Sequence, residues 1–525
     1  MILGYFAVTA LILILVAPRI GSEIFPDSNG PVLRMRLKAP IGTRIEETEP
    51  MVMQALELIR NTIGKDNVDI TSDYVGIQPS SYPVNLIHLF TSGPEEALVQ
   101  IQLRPGHPGD ERLREDLRAA FHKQIPKLTV AFEAGDIISQ VMSFGSPTPI
   151  QIDVQGVDID QDYAYAAQVE AELRKLDFLR DISMVQPHFY PTVDVTVNRD
   201  YAGQFGLTMA DVTNSLTPAT GSSRFTAPNY WRDPRTGNAF QIQVQLPSNR
   251  MQGLGALSTL PLMRDGQIQP QLDQVAKLEY GTMPEMIERL SGQRIVSLTA
   301  NLHAMPLGEA QKRIAAVLKN LPVAPKGSLV AVRGQIPALE ETVSGLRTGL
   351  LLAIAAIFLL LMASFQSIRL PLAIVSTVPG VLCGVVLMLL FTGTTLNIQS
   401  FMGAIMAVGI SVANSILLVS FAEQARHRNE DVDTATRMGA TSRVRAILMT
   451  ATAMICGMIP MAIGFGEGSA QSAPLGRAVV GGLIFSTLTT LTVLPAIYAL
   501  LQRNASTTSN SLNPEDPSSR YYVRP

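Results

Sequence analysis

Three polar side chains near the middle of one long apolar stretch could carry chemistry in this sequence. Ser411, Asn414 and Ser415 lie in FMGAIMAVGISVANSILLVSFA, and their spacing places them on one face of a helix. Such residues commonly join apolar helices by hydrogen bonds. A second interpretation is a face that is a remnant of, or an accessory to, a proton relay. The spacing alone favours the packing role.

Ionisable residues are the usual carriers of protons inside a membrane, and the sequence places none in the middle of an apolar stretch. Arg347 and Arg477 lie at the ends of such stretches, and so does Glu423. The sequence therefore offers no obvious carboxylate that could bind a transported proton. The 6 histidines show no metal-ligand spacing, and no G-x-S-x-G nucleophile motif is present. We predict that the chain is not an enzyme.

Composition divides the 525 residues into two parts. Only 16% of the residues are charged, against about a quarter in soluble chains, and the deficit falls in residues 349–501. Residues 22–345 have ordinary soluble composition, and their charges alternate in sign, which predicts no nucleic-acid surface. Cys383 and Cys456 lie in apolar stretches, which favours packing roles over a disulfide or a metal pair.

Six apolar segments approach the length of about 20 residues that a membrane helix needs. The first, Ile2–Ala17, predicts a transmembrane helix over residues 1–18. A signal peptide and a truncated boundary are the alternatives for this segment. The other five lie within residues 346–501: Leu350–Phe365, Pro371–Phe391, Phe401–Ala422, Ala446–Phe465 and Ala478–Leu501.

Arginines in short loops predict the orientation of these segments. Five arginines follow Ala422 in EQARHRNEDVDTATRMGATSRVR, whereas the loop GEGSAQSAPLG has none. An arginine-rich cytoplasmic loop places both termini inside and residues 22–345 outside. The polar tail, residues 502–525, is predicted to be a disordered cytoplasmic segment.

The outer region shows a repeated pattern of strands and helices. Residues 31–135 read as β-α-β-β-α-β, the order of a ferredoxin-like unit. The pattern returns in residues 148–198 and 291–335, interrupted by residues 199–290, which are too many for an ordinary loop. The predicted fold class is therefore an α-helical membrane protein with an α+β outer domain. It has six transmembrane helices and two ferredoxin-like units, the second of which carries an inserted subdomain.

Several long segments resemble the resistance-nodulation-division (RND) efflux permeases of the acriflavine-resistance type. SFQSIRLPLAIVSTVPGVLCGVVLMLLFTGTTLNIQSFMGAIMAVGISVANSILLVSFA is similar to consecutive spans of that family, and ILMTATAMICGMIPMAIGFGEGSAQSAPLGRAVVGGLIFSTLTTLTVLPAIYALL to its last two. IGSEIFPDSNGPVLRMRLKAPIGTRIEE resembles the entry into the family's outer domain, and SGQRIVSLTANL a strand within it. The resemblance runs from about residue 1 to Leu501 in the family's order and covers the family's C-terminal half.

This resemblance implies half of a twelve-span permease that uses the proton-motive force to export amphiphilic compounds across the bacterial inner membrane. The repeated units would be periplasmic porter subdomains, and the insertion a docking subdomain. The implied partners are an N-terminal permease half, further copies in a trimer, a periplasmic adaptor, an outer-membrane channel, lipid and amphiphilic small molecules. The resemblance implies no cofactor, no metal site and no nucleic acid.

Family resemblance also assigns candidate proton-relay residues. The family's acidic pair is on the fourth span of the N-terminal half, which this sequence does not match. Its tenth-span motif G-x-S-x-K-N corresponds to Gly409–Asn414, and Ala413 occupies the lysine position, which puts a lysine-based relay in doubt. The eleventh-span arginine and threonine match Arg443 and Thr450. The residues predicted to support proton transfer are therefore Asn414, Thr450, Arg443 and Ser411.

The substrate and the activity leave alternatives open. Metal-exporting relatives use methionines to pass soft cations, and the 21 methionines of this chain are scattered. This distribution favours organic substrates. The alternatives to an active permease half are an inactive truncated permease and a membrane-anchored periplasmic scaffold or assembly protein.

Overall fold

The computed structural model describes residues 2–26, 30–77, 91–106, 109–247, 250–251, 253–264, 267–428, 431–464 and 469–503. The chain forms two compact units. The larger unit comprises residues 1–40, 44–185 and 288–525, and the smaller unit comprises residues 41–43 and 186–287. Residues 504–525 of the predicted disordered tail lie outside the described residues.

The larger unit begins with an apolar helix and a first sheet. The elements are α1 (Ile2–Val16), β1 (Val32–Lys38), α2 (Ile45–Ile63), β2 (Val68–Val75), β3 (Glu96–Leu103), α3 (Glu111–Gln124) and β4 (Thr129–Glu133). The four strands are antiparallel in the order β2-β3-β1-β4. Alternate residues of a strand face one side of a sheet, so Leu33, Met35 and Leu37 of β1 are buried in the same core as Ile59 and Phe121 of the helices.

A second sheet of the larger unit begins after a short linking helix. Its first elements are α4 (Ile137–Met142), β5 (Ile150–Gly156), α5 (Ile159–Leu173) and β6 (Leu179–Met184). Asp158 caps α5 by accepting hydrogen bonds from the backbone amides of Asp160 and Gln161. The chain then passes into the smaller unit.

The smaller unit consists of paired strands and short helices. These are β7 (Tyr190–Val197), α6 (Arg199–Gln204), α7 (Met209–Thr220), β8 (Asn229–Arg232), β9 (Ala239–Ile242), α8 (Leu254–Ser258), β10 (Pro261–Arg264), β11 (Gln267–Gln271) and β12 (Ala276–Met283). The pairs are β7 with β12, β8 with β9, and β10 with β11. The predicted boundary at Arg199 differs from that of this unit, because β7 pairs along its whole length with β12.

The chain returns to the second sheet through β13 (Glu288–Leu290), β14 (Gln293–Leu302), α9 (Leu307–Asn320) and β15 (Leu329–Gly334). β14 lies between β5 on one side and both β6 and β13 on the other, and β15 pairs with the far edge of β5. The order β6-β14-β5-β15 repeats that of the first sheet. Ile152, Val154 and Leu298 fill a core shared with the helices of this sheet.

Six further helices, which form five spans, complete the membrane part together with α1. The additional helices are α10 (Gln335–Phe365), α11 (Arg369–Val375), α12 (Val378–Phe391), α13 (Ile398–Arg426), α14 (Val432–Ile463) and α15 (Ser469–Gln502). With α11 and α12 counted as one broken span, the described residues contain 6 helices that are long and apolar enough to cross a membrane. This count agrees with the six predicted spans. α10 begins inside the second sheet's core, where Ile336 and Leu339 are buried.

Candidate functional site

The serines predicted to form a polar helix face lie inside the membrane bundle. Ser411 and Ser415 of α13 are both fully buried, at 0% exposure. The Ser411 hydroxyl lies 3.5 Å from that of Thr377, and the Ser415 hydroxyl lies 3.4 Å from that of Thr490. These hydroxyls therefore join α13 to the broken span and to α15, as the packing interpretation of the two serines expects.

The other three candidates for proton transfer lie apart. Asn414 is half-buried, and Thr450 is exposed, with its hydroxyl donating to its own helix at Ala446 O, 3.1 Å away. The Arg443 guanidinium carbon lies 3.7 Å from the centroid of the Phe421 ring. Among the described residues, the buried Arg443 Nε has no hydrogen-bond partner. The structure thus brings Ser411 to a partner on another span but does not join Asn414, Arg443 and Thr450 to one another by hydrogen bonds within the described chain.

A hydrogen-bonded polar cluster at the end of α13 remote from the sheets was not predicted. The Tyr498 hydroxyl donates to Glu423 Oε2 over 2.6 Å, and Arg426 Nη2 lies 2.6 Å from Glu423 Oε1. Arg426 is 5% exposed and Tyr498 0%. The i, i+3 spacing of Glu423 and Arg426 was a visible signal for an ion pair, whereas the contact with α15 needed the fold.

The break between α11 and α12 is filled by a side chain from α1. Pro379 has no N–H to donate to the preceding turn, which weakens the helix there. The Tyr5 hydroxyl accepts a hydrogen bond from Gly380 N at 2.9 Å and donates to Ser376 O at 3.1 Å. One hydroxyl is therefore inserted where a direct helical hydrogen bond would otherwise form, and it ties α1 to the broken span.

A cavity of about 500 Å³ lies between the first and second sheets of the larger unit. We call it the cleft. Its lining is mixed, with apolar and charged side chains that include Ile24, Leu33, Arg34, Phe132, Glu133 and Leu302. Arg34 and Glu133 pair across neighbouring strands at 2.8 Å, with side-chain exposures of 12% and 4%. The charges on this wall of the cleft are therefore largely neutralised inside the protein.

The ion pairs of the cleft wall continue along the same face of the first sheet, which is the face opposite its helices. Arg36 pairs with Glu133 at 2.6 Å and with Glu96 at 3.3 Å, and Lys38 pairs with Glu96 at 2.7 Å. Burial disfavours the charged form of Glu96, but Lys38 and Arg36 outweigh this effect and lower the pKa of the carboxyl. The Glu96 carboxyl is thus held ionised.

A polar network joins the two sheets at the cleft, which Arg118, Phe132 and Asn301 line. Arg118 of α3 donates from Nε and Nη2 to the two carboxylate oxygens of Asp181, at 2.8 and 2.6 Å. Asp181 Oδ2 also accepts from Phe132 N at 3.1 Å and from Asn301 Nδ2 at 2.8 Å. Bidentate charge-assisted pairs of this kind fix geometry as well as adding stability. We call these residues the sheet-to-sheet network.

A histidine lies at the edge of the same network. His303 Nδ1 is 2.6 Å from Glu111 Oε1 and 3.7 Å from Glu115 Oε1. Glu115 also pairs with Arg118 at 2.5 Å. Burial raises the pKa of the Glu115 carboxyl, but Arg118 and Arg180 lower it by more, so the net shift is downward. The histidine and its two carboxylates therefore add a second contact between α3 and the second sheet.

Comparison with known proteins decides the family. Residues 1–502 match the AcrB/AcrD/AcrF family. The chain belongs to this family of RND permeases. Together with the six apolar helices, the match shows that the chain is a multi-pass protein of the inner membrane. Its relatives are RND-type efflux transporters.

Curated RND relatives extend well beyond the region that this chain matches. The cation efflux system protein CzcA of Alcaligenes sp. (strain CT14) is 25% identical over 529 residues, which cover 98% of this chain and 48% of that protein. The cobalt-zinc-cadmium resistance protein CzcA of Cupriavidus metallidurans has the same identity and coverage. The chain thus spans about half the length of the curated relatives it matches. Both relatives are named for cations, whereas the scattered methionines of the sequence favoured organic substrates.

Solved RND structures give the same picture for the fold. An X-ray structure of a heavy metal efflux pump superposes with a TM-score of 0.82 at 24% identity, covering 95% of this chain and 50% of that one. A second crystal form gives a TM-score of 0.79. The likeness extends over 95% of the chain, which therefore has the fold of about half of that pump.

Proposed function

We propose that this chain is half of an RND efflux permease that is driven by the proton-motive force and exports a small solute. The observation that carries the proposal is the family match over residues 1–502, which falls on only 48% of the curated relatives. In this proposal the two sheets with their helices are ferredoxin-like porter subdomains in the periplasm, and residues 186–287 are the docking subdomain. Both termini then lie in the cytoplasm.

A divalent metal cation is the first candidate for the exported solute. The relatives named as cation efflux and cobalt-zinc-cadmium resistance proteins support it. An amphiphilic compound is the second candidate, and the cleft supports it. Its lining is partly apolar, and among the described residues no group of three or more His, Cys, Asp or Glu side chains is arranged to hold a metal ion.

The exposed face of α13 suits an N-terminal permease half. Met402, Met406 and Leu417 are 46%, 42% and 45% exposed, and Gly409 has open space around it. With Ala413, these residues follow a spacing of three and four, so they form one stripe along the helix. We propose that the other half packs on this stripe and supplies the carboxylates that carry protons. Asn414, Arg443 and Thr450 would then support proton transfer from this half, and Ser411 would do so from inside the bundle, where it is buried.

The complete transporter would contain this half, its companion and a second and third copy of both, with a periplasmic adaptor and an outer-membrane channel. The family supports this assembly, since RND pumps in general work as trimers with such partners. Lipid surrounds the six spans. The proposed activity is transport without covalent chemistry, so the chain is not an enzyme.

Resistance assays in a host that lacks its own RND pumps test the proposal. The chain is expressed alone and with a candidate N-terminal half, and growth is measured with zinc, cobalt or cadmium salts and with amphiphilic drugs. Resistance is expected only when both halves are present, and the class of compound identifies the solute. Arg443→Met should abolish it, whereas Arg445→Met, at an exposed neighbour, should not. Resistance from the chain alone would overturn the half-permease proposal, and no resistance in any combination would overturn transport.

A further inference from the structure

A short extended segment, Gly21–Ile24, connects the membrane helices with the cleft. We call it the strap. Leu396 N donates to Gly21 O at 2.8 Å, Glu23 N donates to Leu396 O at 3.0 Å, and Ile398 N donates to Ile24 O at 3.2 Å. The strap therefore pairs in parallel with the loop that leads into α13.

The opposite side of the strap contacts the start of α9. Gly308 N donates to Ser22 O at 2.9 Å. A Cβ atom at Gly308 would overlap the Ser22 hydroxyl, and a Cβ atom at Gly21 would overlap the Pro306 ring. The two glycines thus permit a contact so close that the strap and α9 have no room to slide past each other.

Side chains fasten the strap and its partner loop at both ends. Thr395 Oγ1 donates to Glu23 Oε2 at 2.8 Å, and Ile24, at 2% exposure, belongs to the core of the second sheet. On the membrane side, Arg477 of α15 donates to Thr394 Oγ1 at 2.6 Å and to Ala462 O of α14 at 2.9 Å. The loop is therefore tied to two more spans besides the one that it begins.

We propose that the strap is a coupling element that transmits displacements of the sheet-side end of α13 to the wall of the cleft. The proposal rests on the proposed function, because it assigns the strap a role in that transport cycle. Glu23 and Ile24 of the strap line the cleft, and so do Pro306 and Leu307 at the start of α9. Since backbone hydrogen bonds and glycine contacts lie on both sides, a shift of α13 must move the cleft wall.

Hydrogen exchange tests the coupling without any transport. Leu396→Pro removes the N–H that donates to Gly21, while Leu396→Ala keeps it and removes the side chain. Exchange of the Gly308 amide is measured in the full chain in lipid nanodiscs, by mass spectrometry with electron-transfer fragmentation. We expect Leu396→Pro to speed this exchange by about tenfold or more and Leu396→Ala to change it by less than about twofold. Amides in the middle of α9, such as Ile314, should stay protected in both variants.

Two results would overturn the proposal. One is unchanged Gly308 exchange in Leu396→Pro, and the other is an equal increase in both variants, which would indicate loss of packing rather than of the paired backbone. If Leu396→Pro unfolds the chain, Gly308→Ala replaces it. Ser22→Gly, which removes the hydroxyl that the new Cβ would meet, should then restore normal exchange at the neighbouring amides, and failure of that rescue also counts against the strap.

Resistance assays with both halves separate the two proposals. Leu396→Pro should abolish resistance and Leu396→Ala should retain it. Coupled exchange in a chain that confers no resistance in any combination would support the strap as a mechanical connection and refute the transport function. Full resistance in Leu396→Pro would leave the transport function intact and refute the coupling role.

Discussion

Replacing Gly439 by alanine should separate two helices of the membrane bundle. Gly439 of α14 packs against α13, and a Cβ atom there would lie 2.8 Å from Ala422 N and 2.9 Å from Ala422 Cα. These are backbone atoms, so no side-chain rotation relieves the overlap. One turn further along α14, the Arg443 guanidinium stacks on Phe421 at 3.7 Å. The substitution therefore also disturbs the position of a candidate proton-relay residue.

The magnitude follows from two opposing effects. Restoring ordinary contact requires the helices to move apart by somewhat less than an ångström, and overpacking of this kind costs about 1–3 kcal/mol. Alanine is a better helix former than glycine by about 1 kcal/mol. Contact with backbone places Gly439→Ala toward the upper end of the overpacking range, so the net loss of unfolding free energy should be about 1–2 kcal/mol. Gly457→Ala in the same helix has no atom within 4 Å to meet, so it should be neutral or stabilising.

Helical circular dichroism at increasing SDS fraction in mixed micelles measures both variants. The expected result is a difference of about 1–3 kcal/mol in unfolding free energy between Gly439→Ala and Gly457→Ala. Equal stabilities would refute the inferred close contact between α13 and α14. A loss in both variants would show instead that glycine is needed along α14 for a reason other than this contact.

Three further outcomes are expected. Arg118→Met leaves the buried Asp181 without its cation and should lower the unfolding free energy by about 3 kcal/mol, measured by thermal unfolding. Glu96→Gln should destabilise at pH 7. Because the folded-state pKa of Glu96 lies below 4.5, its contribution is lost as pH falls through that pKa, so urea titrations should show a shrinking deficit. Tyr5→Phe should speed Gly380 amide exchange by about twofold or more, since that amide loses the Tyr5 hydroxyl and keeps only Thr377 O as acceptor.

The number of spans could be predicted from the sequence because a membrane helix needs only length and apolar composition. Where each helix begins outside the apolar part was less predictable. α14 begins at Val432 and α10 at Gln335, well before the predicted starts at Ala446 and Leu350. These extensions consist of ordinary amphipathic helix, which a search for apolar runs does not detect.

Strand partners were the part of the fold that the pattern of residues did not determine. Tyr190–Val197 alternates like the strands of the second sheet, and this pattern predicted that it belongs to the second ferredoxin-like unit. Its partner, Ala276–Met283, is distant in sequence and belongs to the smaller unit. Alternation predicts that a segment is a strand, but the choice of partner depends on contacts that arise only in the fold.

For the candidate site residues, too, spacing along one helix was predictable and contacts with other elements were not. The shared face of Ser411 and Ser415 was predictable from helical spacing alone, and both are buried. Their partners, Thr377 and Thr490, lie on other helices. The sheet-to-sheet network was missed because Arg118 and Asp181 are ordinary charged residues in two separate repeats. Only the packing of those repeats against each other brings the two charges together.

The two sheets are attached to the membrane helices differently, and this difference predicts which one moves. The second sheet continues covalently into α10, with Ile336 and Leu339 in its core, and contacts α13 through the strap. The first sheet contacts the second through the polar sheet-to-sheet network around Asp181. When the sheets separate, Arg118 and Asp181 both regain their hydration, so parting this buried pair costs less than opening an apolar core. We therefore expect the cleft to open by movement of the first sheet away from the second, with the strap and α10 holding the second sheet to the bundle.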